Sequence, residues 1–123
     1  MTEDLMLETF GKFIIHNLRD TSIDFCDKLL AGNWKASKLQ TIQQDLHDFT
    51  PVQKELIRKS VIASIDTAIH DFLFALEENT GKAKDVKMLI YDENVLSLGV
   101  SLREQLFGEN GWYQTLSRYN IQF

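Results

Sequence analysis

The sequence predicts a mostly helical α+β fold, with a four-helix N-terminal bundle around a long central helix over about 51–78. Two observations predict the helices: apolar residues recur at three- and four-residue spacing, and neither Gly nor Pro occurs over 52–78. A third observation predicts a β-hairpin over about 86–100, where two stretches rich in β-forming residues flank a polar turn. Two short C-terminal helices complete the chain, whose 123 residues are the usual size of a single domain over 1–123.

The first two helices are predicted from a cap at one end and a glycine at the other. Thr2 is suited to cap a helix whose first turn carries two acids, which match the positive end of the helix dipole. We expect this helix to end near 19–20, and the apolar residues on its buried face are Met6, Leu7, Phe10, Phe13, Ile14 and Leu18. A second helix is expected over 22–31, because Gly32 readily adopts the left-handed conformation that ends a helix.

A capping box marks the start of the long fourth helix. Before it we expect a third helix over about 36–47, with Phe49 closing an apolar stripe formed by Leu39, Ile42 and Leu46. Thr50 is placed to accept from the amide three residues on, Pro51 suits the first helical position, and Gln53 can reach back. A helix from Pro51 to about residue 78 would be about 42 Å long, and we expect it to be the central element.

The pattern of the chain changes in its last third. Residues 86–91 and 95–100 are the two predicted strands, and the polar residues 92–94 form the turn between them. A second capping box opens a short helix over about 101–107, and a last short helix is expected over 112–119. We expect the aromatic residues of this segment to plug the end of the core, the alternative being a ligand-pocket wall: Phe107, Trp112, Tyr113, Tyr119 and Phe123.

Composition and charge argue against several classes of partner. Lys and Arg total 13 and Asp and Glu total 18, and the resulting net charge of −5 is spread along the chain without a basic arm. Because phosphate binding needs a basic face, we expect no nucleic-acid partner. The longest apolar run, 72–76, is far shorter than the roughly 20 residues of a membrane helix, so we expect no membrane partner. Cys26 is the single cysteine, which fits a reducing compartment, and we expect a cytoplasmic location.

Sequence signatures of catalysis and cofactor binding are absent. The chain has no glycine-rich phosphate loop, no HExxH helix, no paired cysteines and no GxSxG. None of its three histidines has a Glu three residues before it, as the di-iron sites of helical bundles require. We therefore expect no cofactor, no bound metal and no catalytic residue of a recognisable type.

One candidate binding surface lies on the long helix, around Phe74. The stripe expected to be buried is centred on Ile65 and includes Val61, Ala68, Ile69, Phe72 and Leu76. Phe74 projects from the opposite face, where an aromatic centre with a partly acidic rim is formed with His70, Asp71 and Glu78. The alternative is that the hairpin or the C-terminal helices cover Phe74. Trp34 is a second candidate anchor for a partner, or else a lid on the core.

A second candidate site uses ionisable groups on the same helix. Asp66 lies four residues before His70, so the two share a face and their side chains are able to form a hydrogen bond. Asp66 would then orient His70 as an acid, a base or a metal ligand, and His47 or an acid from another element would complete the site. The alternative is an ordinary pair at the boundary of the core that modestly stabilises the helix.

These observations favour a non-enzymatic protein-interaction module. A small, acidic, cytoplasmic, helical protein without a catalytic signature suits an inhibitor, an adaptor or an immunity-type protein that binds another protein. The first alternative is a small enzyme or metal-binding protein that uses Asp66 and His70. The second is a structural homodimer in which the long helix packs against its mate.

Overall fold

The computed structural model describes residues 2–81 and 86–123, except for the side chains of residues 79–81. The chain is mostly helical, at 68%, with a small antiparallel hairpin of two strands and short C-terminal helices. The arrangement of the N-terminal helices as a four-helix bundle stays a prediction.

The first two predicted helices form one continuous helical run. Helix α1 spans Glu3–Ile14, a π-helical segment spans Ile15–Asp20, and α2 spans Thr21–Ala31. The expected end near 19–20 is wrong: the backbone stays right-handed helical through Asp20 and Thr21, where the sequence offers no Gly or Pro to break it. The predicted cap and stop are confirmed, because the Thr2 hydroxyl accepts from an α1 amide at 3.1 Å and Gly32 is left-handed at φ 74°.

The third and fourth helices begin close to where the sequence predicts them. Helix α3 spans Ser37–Leu46 and α4 spans Pro51–Gly81, about 46 Å at 1.5 Å per residue. The capping box is present: the Thr50 hydroxyl accepts from the Gln53 amide at 3.1 Å, and the Gln53 carbonyl oxygen accepts from the Thr50 amide at 2.8 Å. Helix α2 packs against both α3 and α4, and the π-helical segment packs against α4.

The β-hairpin is much shorter than the predicted 86–100. Strand β1 spans Leu89–Ile90 and pairs antiparallel with β2, Glu93–Asn94, in a register that sets Leu89 opposite Asn94. The second strand ends early because the Asn94 side chain accepts from the Leu96 amide at 3.1 Å and starts a 3₁₀ helix over Val95–Leu98.

Two further short helices lie near the C-terminus. A 3₁₀ helix spans Arg103–Gln105 and α5 spans Trp112–Thr115, so both are shorter than the sequence predicts. Trp112 packs directly over Gly11 of α1: a Cβ at Gly11 would lie 2.6 Å from the indole ring, and the close approach therefore requires glycine. The core forms where α1, the π-helical segment, α4 and these short helices meet. Its buried members are Met6, Phe10, Ile14, Ile15, Ile69, Leu73, Leu76, Val95, Leu102, Leu106, Trp112 and Tyr113.

The buried face of α4 differs from the predicted one. The buried side chains of this helix are Ile62, Asp66, Ile69, Leu73 and Leu76, a stripe rotated by about 60° from one centred on Ile65. The Asp66 carboxylate can be buried because the Arg19 guanidinium compensates its charge. Its burial orients α4 so that the face that carries Asp66 packs against the core. The predicted burial of Phe72 is therefore wrong: its side chain is 46% exposed. Phe13, 61% exposed, and Phe49 also lie outside the core, whereas Phe10 is buried as predicted.

Candidate functional site

An apolar groove runs between α2 and α4, and it consists of two adjoining cavities. The larger, of about 500 Å³, is lined by Thr21, Ser22, Phe25, Cys26, Leu29, Leu30, Leu46, Ile57, Val61 and Ile65. The smaller, of about 380 Å³, is lined by Leu18, Ser22, Ile65, Ala68, Ile69 and Phe72. Because Ser22 and Ile65 line both, the cavities form one continuous surface, which we call the apolar groove.

The apolar groove arises because α4 carries more apolar surface than the core covers. Ile69 lines the groove from the buried stripe, and the other groove-lining residues of α4 follow the helical repeat: Ile57, Val61, Ile65, Ala68 and Phe72. These five residues centre about 100° around the helix from the buried stripe, which packs against other elements. Val61, Ile65, Ala68 and Phe72 are among the residues that the sequence predicts to be in the core. The sequence does carry a signal for these groove residues. The apolar residues of α4 cover a wider arc of the helix than packing against the core can bury, so some of them remain accessible.

Large apolar side chains at the edges of the apolar groove reach solvent. Leu18 and Phe25 project from the helical run on one side, and Phe72 projects from α4 on the other. Single exposed apolar residues are ordinary on proteins, but a contiguous set beside a groove is typical of an interaction surface. Trp34 extends this set, because its ring packs on Phe25 with 5.2 Å between ring centroids and its indole N–H donates to the Phe25 carbonyl.

An ion pair holds the two walls of the apolar groove together at its wider end. The Nε of Arg58 on α4 lies 2.7 Å from Oδ1 of Asp27 on α2. Cys26, the neighbour of Asp27, faces into the larger cavity. Burial and, second, the Asp27 charge raise the pKa of the Cys26 thiol, so it stays protonated near neutral pH. The thiol therefore acts as an apolar lining group and is unsuited to nucleophilic attack.

The candidate surface predicted around Phe74 is partly covered. The Phe74 side chain is 42% exposed, and the guanidinium carbon of Arg103 lies 4.5 Å above its ring. Glu77 holds Arg103 there through a 2.8 Å contact and also accepts from the amides of Leu102 and Arg103. One of the two C-terminal short helices therefore covers one face of the ring and leaves the other accessible.

The residues predicted around Phe74 share its side of α4 by their three- and four-residue spacing, whereas Trp34, the separate candidate anchor, lies elsewhere. The His70 ring is 6.2 Å from that of Phe107, which is itself exposed, and its Nδ1 lies 3.0 Å from Oδ1 of Asp71. Asp71 and Glu78 are both exposed. We call His70, Asp71, Phe74, Glu78 and Phe107 the Phe74 surface. Trp34 packs on Phe25, which lines the larger cavity together with Val61. Because Val61 lies about 20 Å along α4 from Phe74, Trp34 is not part of the Phe74 surface.

The predicted pairing of Asp66 with His70 is wrong. Both Asp66 oxygens accept from Arg19, Oδ1 from Nε at 2.7 Å and Oδ2 from Nη2 at 3.1 Å. His70 pairs with Asp71, and His47 lines a separate polar pocket beside Trp34 and three glutamines. The three residues therefore do not converge. Within residues 2–81 and 86–123, no cluster of three or more His, Cys, Asp or Glu side chains is arranged to hold a metal ion.

Arg19, which no sequence pattern singles out, organises a large buried polar network. Its guanidinium donates to the Asp66 carboxylate, to the Ser117 hydroxyl at 2.9 Å, and to the carbonyls of Tyr119 and Ile121. Burial raises the pKa of Asp66, while the hydrogen bonds and charge of Arg19 act to lower it. Every guanidinium nitrogen thus has a protein partner, so we assign the network a structural role: it fastens the C-terminal segment to the helices.

Tyr113 and Asp20 complete this network. The Tyr113 ring lies 4.4 Å from the Arg19 guanidinium carbon, and its hydroxyl donates to the Asp66 carbonyl at 3.1 Å. The Asp20 carboxylate accepts from the Ser117 hydroxyl and from the Arg118 amide. No sequence signal identifies these pairs, because the partners lie 47 to 98 positions apart in the chain.

The comparisons with known proteins leave the function to the geometry. Neither the protein-family models nor the curated proteins nor the solved structures gave a match to this chain. In the described ranges, no helix combines the length and the apolar character that crossing a bilayer would take. The apolar groove and the Phe74 surface are the two surfaces of the described residues that are suited to binding another molecule.

Proposed function

We propose that the protein is a non-enzymatic protein-interaction module, which takes up an apolar face of another polypeptide in the apolar groove. A small acidic inhibitor, adaptor or immunity-type protein is the class that this proposal favours. We also propose that the protein is cytoplasmic, that residues 1–123 form a single domain, and that its N-terminal helices form a four-helix bundle. The continuous apolar groove, with exposed Phe72 and Phe25 on its two edges, is the observation that carries it.

The dimensions of the groove favour a polypeptide as its occupant. From Ile57 to Phe72 the groove follows α4 for about 22 Å, which is four turns of a helix. Its two walls are helices, and a furrow between two helices fits the apolar face of a third one. The side-chain polar groups in its lining are the hydroxyls of Thr21 and Ser22 and the thiol of Cys26. Such a lining favours a ligand with an apolar surface of matching shape, because it offers few of the hydrogen-bonding groups that bind a polar metabolite.

The edges of the groove supply the anchors that protein interfaces use. Phe25 and Phe72 are partly exposed aromatic residues, and burying such a side chain contributes about 1.5–3 kcal/mol. The ion pair between Asp27 and Arg58 fixes the spacing of the walls before a partner binds, which lowers the cost of ordering the site.

The Phe74 surface is a second contact area within the same function. Phe72 and Phe74 are two positions apart, so they project about 160° apart around α4. A partner in the apolar groove therefore leaves the Phe74 surface accessible. The alternative of an enzyme or metal-binding protein is not favoured, because Asp66 is bound to Arg19 and His47 lines a separate pocket.

The test uses a defined probe, a synthetic amphipathic helix of about 15 residues with Leu at every third or fourth position. It is added in excess to the ¹⁵N-labelled full chain, and amide resonances are followed by NMR. We expect shifts at the residues that line the apolar groove, and at least tenfold weaker binding by the Phe72→Asp variant. Leu56→Asp is the matched control, because Leu56 is an exposed residue of α4 outside the groove lining.

Two outcomes would contradict the proposal. No binding of the probe by the unaltered chain would remove the groove as an interaction site. Equal weakening by Phe72→Asp and Leu56→Asp would show that added negative charge, and not the groove, decides the affinity.

A further inference from the structure

We propose that the open face of the Phe74 ring binds an arginine side chain of a partner polypeptide, which pairs with the carboxylates of Asp71 and Glu78. This inference rests on the proposed function as an interaction module, because it names what a partner presents to the Phe74 surface, but it does not depend on the apolar groove. Phe74 divides its side of α4 into a covered flank and an open flank, and the covered flank already holds an arginine of this chain.

The covered flank carries His70 and Glu77. His70 precedes Phe74 by four residues and Glu77 follows it by three, so both lie about 40–60° to one side of it around α4. The C-terminal residues contact both of them. The Phe107 ring lies 6.2 Å from that of His70, and Nη1 of Arg103 donates to Oε2 of Glu77 at 2.8 Å. The Arg103 guanidinium is thereby held over the Phe74 ring, its carbon 4.5 Å from the ring centroid.

The open flank carries Asp71 and Glu78. Asp71 precedes Phe74 by three residues and Glu78 follows it by four, so both lie about 40–60° to the other side of it. Because Arg103 covers the ring from the opposite side, the uncovered face is directed toward these two exposed acids. Oδ1 of Asp71 contacts Nδ1 of His70, and in the described ranges no further group binds Oδ2 of Asp71 or the carboxylate of Glu78.

The described bases leave these two charges without compensation. Those of α4 lie in its first third, and the nearest, Lys59, is about 18 Å along the helix from Asp71. Arg103 lies beside Phe74, but Glu77 already matches its charge. Residues 82–85, which include two lysines and an aspartate, lie outside the described residues. Among the described residues, the open flank therefore combines an accessible aromatic face with an excess of negative charge, which is complementary to a cationic side chain.

Arginine fits this place better than lysine does. Its planar guanidinium stacks on an aromatic face while its N–H groups donate to carboxylates, whereas the lysine ammonium is a compact and strongly hydrated charge. The chain uses this combination on the covered flank, where Arg103 stacks on Phe74 and pairs with Glu77. An arginine of a partner would complete the same arrangement on the other face of the ring, with Asp71 and Glu78 in the place of Glu77.

The extent of the Phe74 surface favours an arginine within a polypeptide. Phe107 is exposed and lies beside His70, so it adds apolar area next to the proposed arginine site. The residues that flank an arginine in a polypeptide are able to cover this ring, which a small free cation would leave in water. Arginine together with aromatic residues is also the composition that protein interfaces favour at their centres.

The first test adds a short peptide, acetyl-Gly-Gly-Arg-Gly-Gly-amide, to the ¹⁵N-labelled full chain and follows the amide resonances by NMR. Two matched peptides carry lysine, which has the same charge, or citrulline, which has nearly the same shape and no charge. We expect the arginine peptide to shift the resonances of Asp71, Phe74 and Glu78 at concentrations up to about 20 mM. The lysine peptide should bind at least about threefold more weakly, and the citrulline peptide should not bind.

The second test compares two double variants with the same change of net charge. Asp71→Asn with Glu78→Gln removes the carboxylates of the open flank and should weaken binding of the arginine peptide at least about fivefold. Asp48→Asn with Glu55→Gln removes two exposed acids outside the Phe74 surface and should change the affinity less than about twofold. Phe74→Leu keeps the acids and should abolish the preference for arginine over lysine. The amide spectrum of each variant establishes that it is folded.

Three results would overturn the inference. The first is the absence of shifts with the arginine peptide, and the second is equal binding of the lysine peptide by the unaltered chain. The third is equal weakening by the two double variants, which would show that net charge alone decides the affinity.

The outcomes separate this inference from the proposed function of the groove. If the arginine peptide binds at Phe74 but the synthetic helix does not bind, the groove is excluded and the arginine site is supported. If the helix binds in the groove but the arginine peptide does not bind, the arginine site alone is excluded. If neither binds, both are excluded.

Discussion

Arg19 and Asp66 form a buried, two-contact ion pair that joins the π-helical segment to the middle of α4. The remaining guanidinium hydrogens bind the Ser117 hydroxyl and two carbonyls of the last five residues. Three parts of the chain that are distant in sequence therefore depend on one side chain. The stability of the C-terminal segment is expected to follow the integrity of this pair.

Replacing Arg19 by Met tests this dependence. The change leaves the Asp66 carboxylate buried without its cation, which costs about 3–5 kcal/mol in comparable pairs. We expect the free energy of unfolding, measured with urea, to fall by that amount. Lys12→Met removes an exposed pair with Glu8 and should cost less than about 0.5 kcal/mol. Similar losses in the two variants would contradict the structural role of Arg19.

A second prediction concerns alkaline pH and Tyr113. Burial, followed by the charge of Asp66, raises the pKa of Tyr113 far above its usual value of 10.0. A raised pKa in the folded state means that stability is fully present below the unfolded pKa and is lost as pH rises above it. We therefore expect the free energy of unfolding to decrease above about pH 10, by up to about 1.4 kcal/mol per pH unit from this residue.

The Tyr113→Phe variant is the control for this pH dependence. It removes the titrating hydroxyl and its hydrogen bond to the Asp66 carbonyl, so it should be less stable at pH 8 by about 1 kcal/mol. Its stability should then fall less steeply between pH 10 and 12 than that of the unaltered chain. Parallel curves for the two proteins would exclude Tyr113 as the source of the decrease.

The parts of the fold that local chemistry determines could be predicted from the sequence. The caps at Thr2 and Thr50 and the left-handed Gly32 depend on residues within a few positions of one another, and all three are present. The predicted helix end near 19–20 is wrong because the change of apolar stripe there indicates two helices, whereas a π-helical segment connects α1 and α2 without interruption. A π-helical turn contains more residues than an α-helical turn, so it changes the face on which the following apolar residues fall. When residues are placed at a constant 3.6 per turn, this change looks like the start of a new helix.

The candidate site was less predictable, because it depends on contacts between distant segments. Hydrophobic periodicity alone places Asp66 on a polar flank, and only its distant partner Arg19 makes its burial favourable. Once that face is buried, Phe72 rotates out of the core and becomes an edge of the apolar groove. The partial exposure of Phe74 likewise depends on Arg103, which the short C-terminal helix brings over its ring.

The third prediction follows from the contact between Gly11 and Trp112. Within a helix, Gly→Ala usually stabilises by about 1 kcal/mol through propensity. At Gly11 the new methyl would lie 2.6 Å from the ring of Trp112, which is buried against Phe10 and has little room to move. We expect the clash to outweigh propensity, so that Gly11→Ala destabilises the chain by about 1–3 kcal/mol in urea unfolding. A more stable variant would contradict the packing.

A double-mutant cycle isolates this contact. Trp112→Leu removes the ring and is destabilising by itself, since it leaves a cavity in the core. In the Trp112→Leu background, Gly11→Ala should cost less than in the unaltered chain, by at least about 1 kcal/mol of coupling. Additive effects would show that the methyl group and the indole do not meet.

The fourth prediction uses Cys26 to report on the apolar groove. Burial and the adjacent Asp27 raise the pKa of its thiol, and only the thiolate is alkylated. We therefore expect iodoacetamide to modify Cys26 at pH 7.5 at least about tenfold more slowly than it modifies free cysteine, measured by intact mass. The thiol also lines the larger cavity, so occupation of the groove should lower the rate further.

The synthetic helix that tests the groove also tests this place of Cys26. An excess of that helix should slow the modification of Cys26 in the unaltered chain, because it covers the larger cavity that the thiol lines. The helix should protect Cys26 much less in Phe72→Asp, which binds it weakly. Leu56→Asp should behave like the unaltered chain, because its added charge lies outside the groove lining. A rate equal to that of free cysteine would show that Cys26 is open to solvent and would contradict its place in the wall of the groove.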